Sequence, residues 1–129
     1  MNLASISENH NIERRIAITP EIAKKYISLG FNLSLPKNYG FHLGFSDDEF
    51  KNLGVNFLDN EEELIKSSEV IIQLGLPNED KLSLLKENQT LIGSLNAYLN
   101  KKKLIVFLLN YFQELQEHNQ WIFYLHKQT

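Results

Sequence analysis

The sequence contains no cysteine, which excludes disulfide bonds, thiolate metal sites and cysteine nucleophiles. Long apolar runs are also missing, because no stretch reaches the roughly 20 residues that a membrane-spanning helix needs. The first residues lack the basic start and apolar core of a secretory signal. We therefore expect a cytoplasmic chain that makes no contact with a membrane.

An excess of positive charge is absent as well. Thirteen Lys and Arg residues stand against 16 Asp and Glu residues, giving a net charge of −3, so we expect no nucleic-acid partner. The four histidines have no ligand spacing with one another or with acids, so we expect no metal site; they are His10, His42, His118 and His126. With 129 residues, 43% of them hydrophobic, the chain has the size and composition of one globular domain.

Glycine and proline are absent from the last part of the chain. All six glycines and all three prolines lie before residue 94. Residues 104–129 carry six of the 14 aromatic residues but no Gly, Pro, Asp, Ser or Ala. This change divides the chain into residues 1–103, which carry a regular α/β pattern, and an atypical C-terminal segment, residues 104–129.

The clearest local signal lies at residues 13–35. Thr19 can cap a helix whose first residue is Pro20, a position where the missing proline N–H costs nothing. Gly30 fits the left-handed residue that commonly follows a helix. Apolar residues between them recur at helical spacing, namely Ile22, Ala23, Tyr26 and Ile27. The sequence predicts a helix that ends before Gly30 and a strand directly after it.

Strand and helix patterns alternate up to residue 96. Strands are predicted at residues 3–6, 31–35, 55–57, 69–74 and 90–93, with the intervening helices from residues 20, 46, 60 and 79. The run Val70-Ile71-Ile72-Gln73-Leu74 is almost wholly apolar, as expected of a strand buried on both faces of a parallel sheet. The alternation predicts an α/β fold with a parallel sheet and right-handed crossovers.

The C-terminal segment allows two interpretations. In the first, it forms a helix packed on the sheet, since five apolar residues share a helical face: Leu104, Leu108, Tyr111, Phe112 and Leu115. In the second, the segment has lost the pattern of the domain. We therefore expect residues 104–129 to be helical or irregular.

Charged residues before the first helix form a candidate binding site. Arg14 and Arg15, beside Glu13, can bind a carboxylate or phosphate through forked hydrogen bonds, or form a surface ion pair that holds the loop. Two acidic clusters, residues 47–49 and 61–63, could offer carboxylates for catalysis or metal binding. Both clusters lie at predicted helix starts, where acids complement the helix dipole, and we favour that structural role.

Several segments together resemble a known family. They are ERRIAITP at residues 13–20, Leu29-Gly30, Gly40, Phe45-Ser46-Asp47, Leu53-Gly54, Glu69-Val70-Ile71-Ile72, Pro77 and Leu91-Ile92-Gly93. Their order and spacing resemble the N-terminal domain shared by alanine dehydrogenases and the α subunit of proton-translocating NAD(P) transhydrogenase. The resemblance implies a flavodoxin-like (Rossmann-like) sheet flanked by helices that packs against a separate NAD-binding domain. The G-x-G-x-x-G fingerprint of such a domain is absent from this chain.

One position separates the two branches of the family. The resemblance implies that alanine dehydrogenases carry a substrate-binding lysine after the fourth strand, where this chain has Gly75, preceded by Gln73. It also implies that Arg15 matches an arginine that binds the substrate carboxylate, whereas His42 does not match their catalytic histidine. Without the lysine the amino-acid site is incomplete, so the transhydrogenase branch fits better.

The C-terminal segment carries a second hint of the same branch. Lys101-Lys102-Lys103 can be encoded by a run of adenines, where a base is easily gained or lost. Codons that encode residues 112–128, read one base earlier, can give PRITRAQSMDILSSQAN, which is similar to the segment that transhydrogenase α subunits carry at this point. The hypothesis is that residues 104–129 are a frameshifted tail.

These observations predict the N-terminal fragment of a transhydrogenase α subunit. The resemblance implies that the complete enzyme transfers hydride from NADH to NADP and translocates protons. We expect no cofactor, catalytic residue or metal in this chain, no activity alone, and the remaining transhydrogenase domains or subunits as partners. Arg15 is the one candidate ligand-binding residue. An alanine-dehydrogenase-type fragment and a non-catalytic flavodoxin-like interaction module remain alternatives, and self-association is possible.

Overall fold

A six-stranded parallel sheet with helices on both faces forms the domain. The computed structural model describes residues 1–86, 88–95 and 121–125. The strands are β1 (Asn2–Ala4), β2 (Asn32–Pro36), β3 (Asn56–Leu58), β4 (Val70–Gly75), β5 (Gln89–Leu95) and β6 (Trp121–Leu125). The helices are α1 (Pro20–Ser28), α2 (Asp47–Asn52), α3 (Glu61–Ser67) and α4 (Glu79–Leu82), and a 3-10 turn spans Phe41–Leu43. The predicted α/β fold is confirmed.

The strand order is β3-β2-β1-β4-β5-β6, and every neighbouring pair is parallel. β1 therefore lies near the middle of the sheet, between β2 and β4. Along the chain, β2 and β3 are added on one side of β1, and β4 and β5 are then added on its other side. The direction of strand order in the sheet therefore reverses between β1 and β4.

Alternate residues of the strands supply two separate cores. Leu3 of β1 belongs to the apolar cluster under α1 and α2, which also contains Ala23 and Phe50. Its neighbour Ala4 belongs to the cluster under α3 and α4, together with Leu64 and others. Because successive side chains of a strand point to opposite faces, the two clusters lie on the two sides of the sheet. Burial on both faces explains the apolar run in β4.

Side chains cap the helix starts, and Thr19 does so as the sequence predicts. Thr19 Oγ1 accepts a hydrogen bond from the Ile22 N–H at 3.3 Å, and Pro20 is the first helical residue. Ser46 caps α2 by accepting from the Glu49 N–H, also at 3.3 Å. Asn60 caps α3 by accepting from the N–H groups of Glu62 and Glu63. Each cap satisfies main-chain donors that a helix leaves without partners.

The C-terminal segment differs from the expectation where it is described. Residues Trp121–Leu125 form β6, which pairs with β5 from Gln89↔Trp121 to Gly93↔Leu125, whereas we expected a helical or irregular segment. The aromatic residues of this stretch and its one β-branched residue, Ile122, favour a strand, and the main-chain edge of β5 supplies a partner. The proposed helix face, residues 104–115, lies outside the described residues.

Candidate functional site

The reversal of strand order places a candidate site at the carboxyl ends of β1 and β4. In open α/β sheets the loops leaving two such strands diverge, and ligands bind in the crevice between them. Here the loop after β1 is long, residues 5–19, and contains every charged residue that the sequence marked before α1. The loop after β4 is short and holds Leu76, Pro77 and Asn78.

Gln73, near the end of β4, ties that strand to the loop after β1. Its side-chain oxygen accepts hydrogen bonds from Ser5 Oγ at 2.8 Å and from the Ile6 N–H at 2.7 Å. Its amide nitrogen donates to the Ile6 carbonyl at 3.2 Å and to Glu8 Oε1 at 3.1 Å. Gln73 is only 1% exposed, so this set of partners satisfies a buried amide completely. A lone polar residue in an apolar strand was the available signal for this role.

Glu8 binds main-chain N–H groups at the end of β4. Its carboxylate accepts hydrogen bonds from the N–H groups of Leu74 at 2.9 Å and Gly75 at 3.1 Å, in addition to that from Gln73. Burial raises the pKa of the Glu8 carboxyl, and the two main-chain hydrogen bonds oppose that effect. Sequence reasoning missed Glu8, because no spacing rule connects it with residues 74 and 75, some 66 positions away.

Glu13 and Arg15 form a forked ion pair on the same loop. Arg15 Nε donates to Glu13 Oε1 and Arg15 Nη2 donates to Glu13 Oε2, both at 2.9 Å. The main-chain N–H of Arg15 also donates to Glu13 Oε1, at 3.0 Å. The hydrogen bond from the Arg15 side chain lowers the pKa of Glu13, so the pair stays charged at neutral pH. The sequence allowed either anion binding or a surface ion pair for the arginines beside Glu13, and the structure contains the ion pair between Arg15 and Glu13.

Arg14 lies beside a pair of histidines. The His10 and His42 rings stack with centroids 3.8 Å apart, and His42 Nε2 lies 2.7 Å from the Arg14 carbonyl oxygen. Burial has the largest effect on His10 and lowers its pKa. The charges of His42 and Arg14 lower it further. These contacts hold the loop after β1 against the 3-10 turn. The described residues give the Arg14 side chain no ion pair.

The buried Tyr39 hydroxyl hydrogen-bonds to both ends of the loop after β1. It lies 2.8 Å from Ser5 Oγ and accepts a hydrogen bond from the Ile18 N–H at 3.2 Å. Burial raises the pKa of Tyr39 to about 12, so the phenol is neutral and serves as a fixed hydrogen-bonding group. The two ends of the loop are thereby tied to one buried side chain.

The acidic clusters have structural partners. Glu62 pairs with Lys66 at 2.6 Å, one helical turn away, and Glu61 pairs with Lys81 at 3.1 Å. Asp47 accepts from the Asn38 N–H with both carboxylate oxygens. No group of three or more His, Cys, Asp or Glu side chains suited to a metal occurs within residues 1–86, 88–95 and 121–125. The same part of the chain contains no helix long and apolar enough to cross a membrane.

The sequence matches a family pattern over most of its length. The pattern described as "Alanine dehydrogenase/PNT, N-terminal domain" matches residues 5–111. The chain belongs to this family.

Relatives from both branches of the family are similar to the chain. The first portion of the NAD(P) transhydrogenase alpha subunit of Rickettsia prowazekii (strain Madrid E) is 29% identical over 123 residues, which cover 86% of this chain and 32% of that protein. Alanine dehydrogenase 1 of Staphylococcus aureus (strain N315) is 28% identical over 102 residues, which cover 79% of this chain and 27% of that protein. The chain thus spans about a third or less of the length of these relatives.

Solved structures of the same two kinds share the fold. An L-alanine dehydrogenase superposes with a TM-score of 0.67 at 19% identity, covering 72% of this chain and 26% of that one. A transhydrogenase from Sinorhizobium meliloti also gives a TM-score of 0.67, at 23% identity, covering 77% of this chain and 30% of that one. At these identities the likeness concerns the fold alone.

Gly75 has no side chain, and its N–H is held by Glu8 at 3.1 Å. Gln73, two residues earlier, is committed to the β1 loop. The Arg15 side chain is 68% exposed, and its two hydrogen bonds to the Glu13 carboxylate fix its orientation.

Proposed function

We propose that this chain is the N-terminal part of a NAD(P) transhydrogenase α subunit. The observation that carries the proposal is the end of β4, where Gly75 replaces the lysine expected of an alanine-dehydrogenase-type site and Glu8 binds its N–H. Membership of the family and the similarity to a transhydrogenase α subunit support it. In the complete enzyme, hydride passes from NADH to NADP while protons are translocated, and this domain forms the scaffold beside the NAD site.

The chain alone is proposed to be inactive in hydride transfer. The dinucleotide fingerprint G-x-G-x-x-G, whose glycines let a pyrophosphate approach a helix start, does not occur in the sequence. NAD and NADP are therefore cofactors of the complete enzyme, held by its other domains. The partners are those domains or subunits, and the proposed location is the cytoplasm.

Calorimetry with NADH tests this function. We expect no measurable heat of binding when NADH is titrated into the chain alone, because the sheet lacks a phosphate-binding loop. The same titration into a mixture with the remaining transhydrogenase subunits serves as the positive control. Binding of NADH to the isolated chain at micromolar concentration would contradict the proposal.

Arg15 is proposed as the residue that contacts a ligand or the neighbouring domain at the crevice. Its guanidinium is exposed, belongs to the loop after β1, and is held by Glu13. A guanidinium binds carboxylate and phosphate groups through parallel hydrogen bonds. No other residue of the site is assigned a chemical step, so the chain supplies binding and support rather than catalysis.

The C-terminal segment is proposed to be the product of a shifted reading frame. The family pattern continues past Lys103 and ends at residue 111, next to Phe112, where the neighbouring frame can encode a transhydrogenase-like string. The domain on this view ends near residue 103. The nucleotide sequence of the gene tests the idea directly: codons for residues 112–128 that cannot give PRITRAQSMDILSSQAN in the neighbouring frame would exclude it.

A further inference from the structure

The ion pair at the crevice uses only half of the Arg15 guanidinium. A guanidinium carries five N–H donors in a fixed plane, arranged along two edges that can each bind one carboxylate. Glu13 occupies the edge formed by Nε and Nη2, with both distances at 2.9 Å. The described residues offer Nη1 no hydrogen-bond partner, so the edge formed by Nη1 and Nη2 remains open.

The two members of the pair differ strongly in exposure. The Glu13 side chain is 9% exposed, whereas the Arg15 side chain is 68% exposed. Glu13 is further fixed by the hydrogen bond that its Oε1 accepts from the Arg15 main-chain N–H. The carboxylate is thus the anchored partner, and the guanidinium is the group that faces outwards.

We propose that Glu13 is a positioning residue, which holds Arg15 so that its open edge binds a small oxyanion, a carboxylate or a phosphate. Glu13 does not touch the anion itself. The inference deepens the proposed role of Arg15 and rests on it. The open edge and the edge held by Glu13 are distinct, so one guanidinium binds both anions at once.

Pre-organisation is the physical reason for this arrangement. A free arginine side chain loses much rotamer freedom when it binds an anion, and a side chain that is already fixed does not. The carboxylates of Glu13 and Glu8 reduce the positive field at Arg15, so the site favours an anion by geometry rather than by net charge. Arg14, exposed on the same loop, adds positive charge nearby.

Nuclear magnetic resonance of the arginine side chains tests the proposal in the unaltered full chain. Acetate and inorganic phosphate are titrated separately, and the nitrogen resonances of Arg15 are followed. We expect the Nη resonances to move with either anion while the Nε resonance keeps the position set by Glu13. Movement of Nε towards the value of a free arginine would mean that the anion displaces Glu13, which overturns the proposal.

A pair of matched variants provides the second measurement. Glu13→Gln is expected to weaken acetate and phosphate binding by about two- to tenfold, the cost of ordering one long side chain on binding. Glu21→Gln removes the same charge from the exposed first turn of α1, where Glu21 pairs with Lys25, and should leave binding unchanged. Tighter binding by Glu13→Gln than by the unaltered chain would show competition instead of positioning.

Arg15→Lys keeps the charge but removes the second edge, and we expect it to abolish the shifts that acetate and phosphate cause in the main-chain N–H resonances of the loop after β1 in the unaltered chain. It also covers the case in which Glu13→Gln does not fold. Absence of any anion response at Arg15 in the unaltered chain overturns both the positioning role and the ligand role of Arg15. The assignment to a transhydrogenase subunit is judged separately, by the NADH titration.

Discussion

Tyr39 is the residue that ties both ends of the loop after β1 to the core. Its hydroxyl contacts Ser5 Oγ and accepts from the Ile18 N–H, and the side chain is 1% exposed. Tyr39→Phe leaves the Ile18 N–H buried without a partner, which costs about 1–3 kcal/mol of unfolding free energy. Urea unfolding followed by circular dichroism measures the loss.

Tyr26→Phe is the matched control for Tyr39→Phe. Tyr26 is half-buried, packs edge-on against Phe31, and its hydroxyl has no hydrogen-bond partner in the described part of the chain. We expect its unfolding free energy to change by less than about 0.5 kcal/mol. Equal losses from the two substitutions would contradict the role of the Tyr39 hydroxyl.

Glu13 makes the unfolding free energy of the domain depend on pH, in a direction that follows from its pKa shift. Its pKa in the folded chain lies below the ordinary value of 4.5, because Arg15 stabilises the carboxylate. The folded state therefore binds this proton less tightly than the unfolded state, and stability from Glu13 is present above pH 4.5 and lost as pH falls through the folded pKa.

We predict that the difference in unfolding free energy between the unaltered chain and Glu13→Gln is constant near neutral pH and shrinks below pH 4.5. Denaturant unfolding at a series of pH values measures it. Glu21→Gln, whose parent carboxylate lies 3.8 Å from Lys25 on the surface, should show a much smaller difference. If the difference in unfolding free energy between the unaltered chain and Glu13→Gln grew as the pH fell, the folded-state pKa of Glu13 would be raised instead of lowered.

Gly93 determines how closely β5 approaches β4. It pairs with Gln73, and a Cβ atom at this position would overlap the Gln73 carbonyl oxygen, with the Gln73 carbonyl carbon only 2.8 Å away. Because main-chain atoms cannot move aside as a side-chain end can, Gly93→Ala should force the two strands apart. The expected cost is about 3 kcal/mol or more of unfolding free energy.

Gly30→Ala is the control for Gly93→Ala, because it adds the same methyl group at a place where no neighbouring strand is close. Gly30 has a φ of +91° in the turn after α1, and an added Cβ meets no atom within 4 Å. Only the left-handed backbone penalty of about 1–2 kcal/mol is expected there. Thermal unfolding compares the two variants, and a loss at Gly30 as large as that at Gly93 would argue against strand separation as the cause.

The element order was predictable from the sequence because each helix and strand carries a local signal. Thr19, Ser46 and Asn60 mark helix starts, and each is a cap in the structure. β6 was not predictable, since its partner strand β5 lies over 25 residues earlier and strand pairing depends on that distant edge. The helix predicted to start at residue 79 does start there, and it is a single turn that ends at Leu82.

The candidate site was predictable only where it is local. Glu13 and Arg15 are two residues apart, so a forked pair could be foreseen. Glu8 and Gln73 are neighbours only because β1 and β4 are adjacent in the sheet, and no periodicity links residue 8 to residue 73. Sequence patterns report local geometry, whereas the buried network depends on the register between strands.

For the whole molecule, the proposed boundary near residue 103 predicts that the preceding residues fold by themselves. The described residues of the two apolar cores, one on each face of the sheet, lie within residues 3–95. We expect a chain of residues 1–103 to unfold cooperatively and to self-associate as its concentration rises, because β5 loses its neighbour β6 and exposes a main-chain edge. Analytical ultracentrifugation and thermal unfolding measure the two properties.

The full chain is the reference for that truncation. Because β6 covers the β5 edge, the full chain should associate less than residues 1–103 at the same concentration. Loss of the cooperative transition in the shorter chain would place residues 104–129 within the folding unit and refute the proposed boundary.

The central position of β1 has a consequence for how the protein is made. β1 (Asn2–Ala4) is synthesised before both of its neighbours, β2 (Asn32–Pro36) and β4 (Val70–Gly75). At roughly 5–20 residues per second, the ribosome needs several seconds to deliver the second of them. During that interval β1 emerges with one side unoccupied, so the nascent polypeptide is most vulnerable to chaperone capture or misassembly before its fourth strand leaves the exit tunnel.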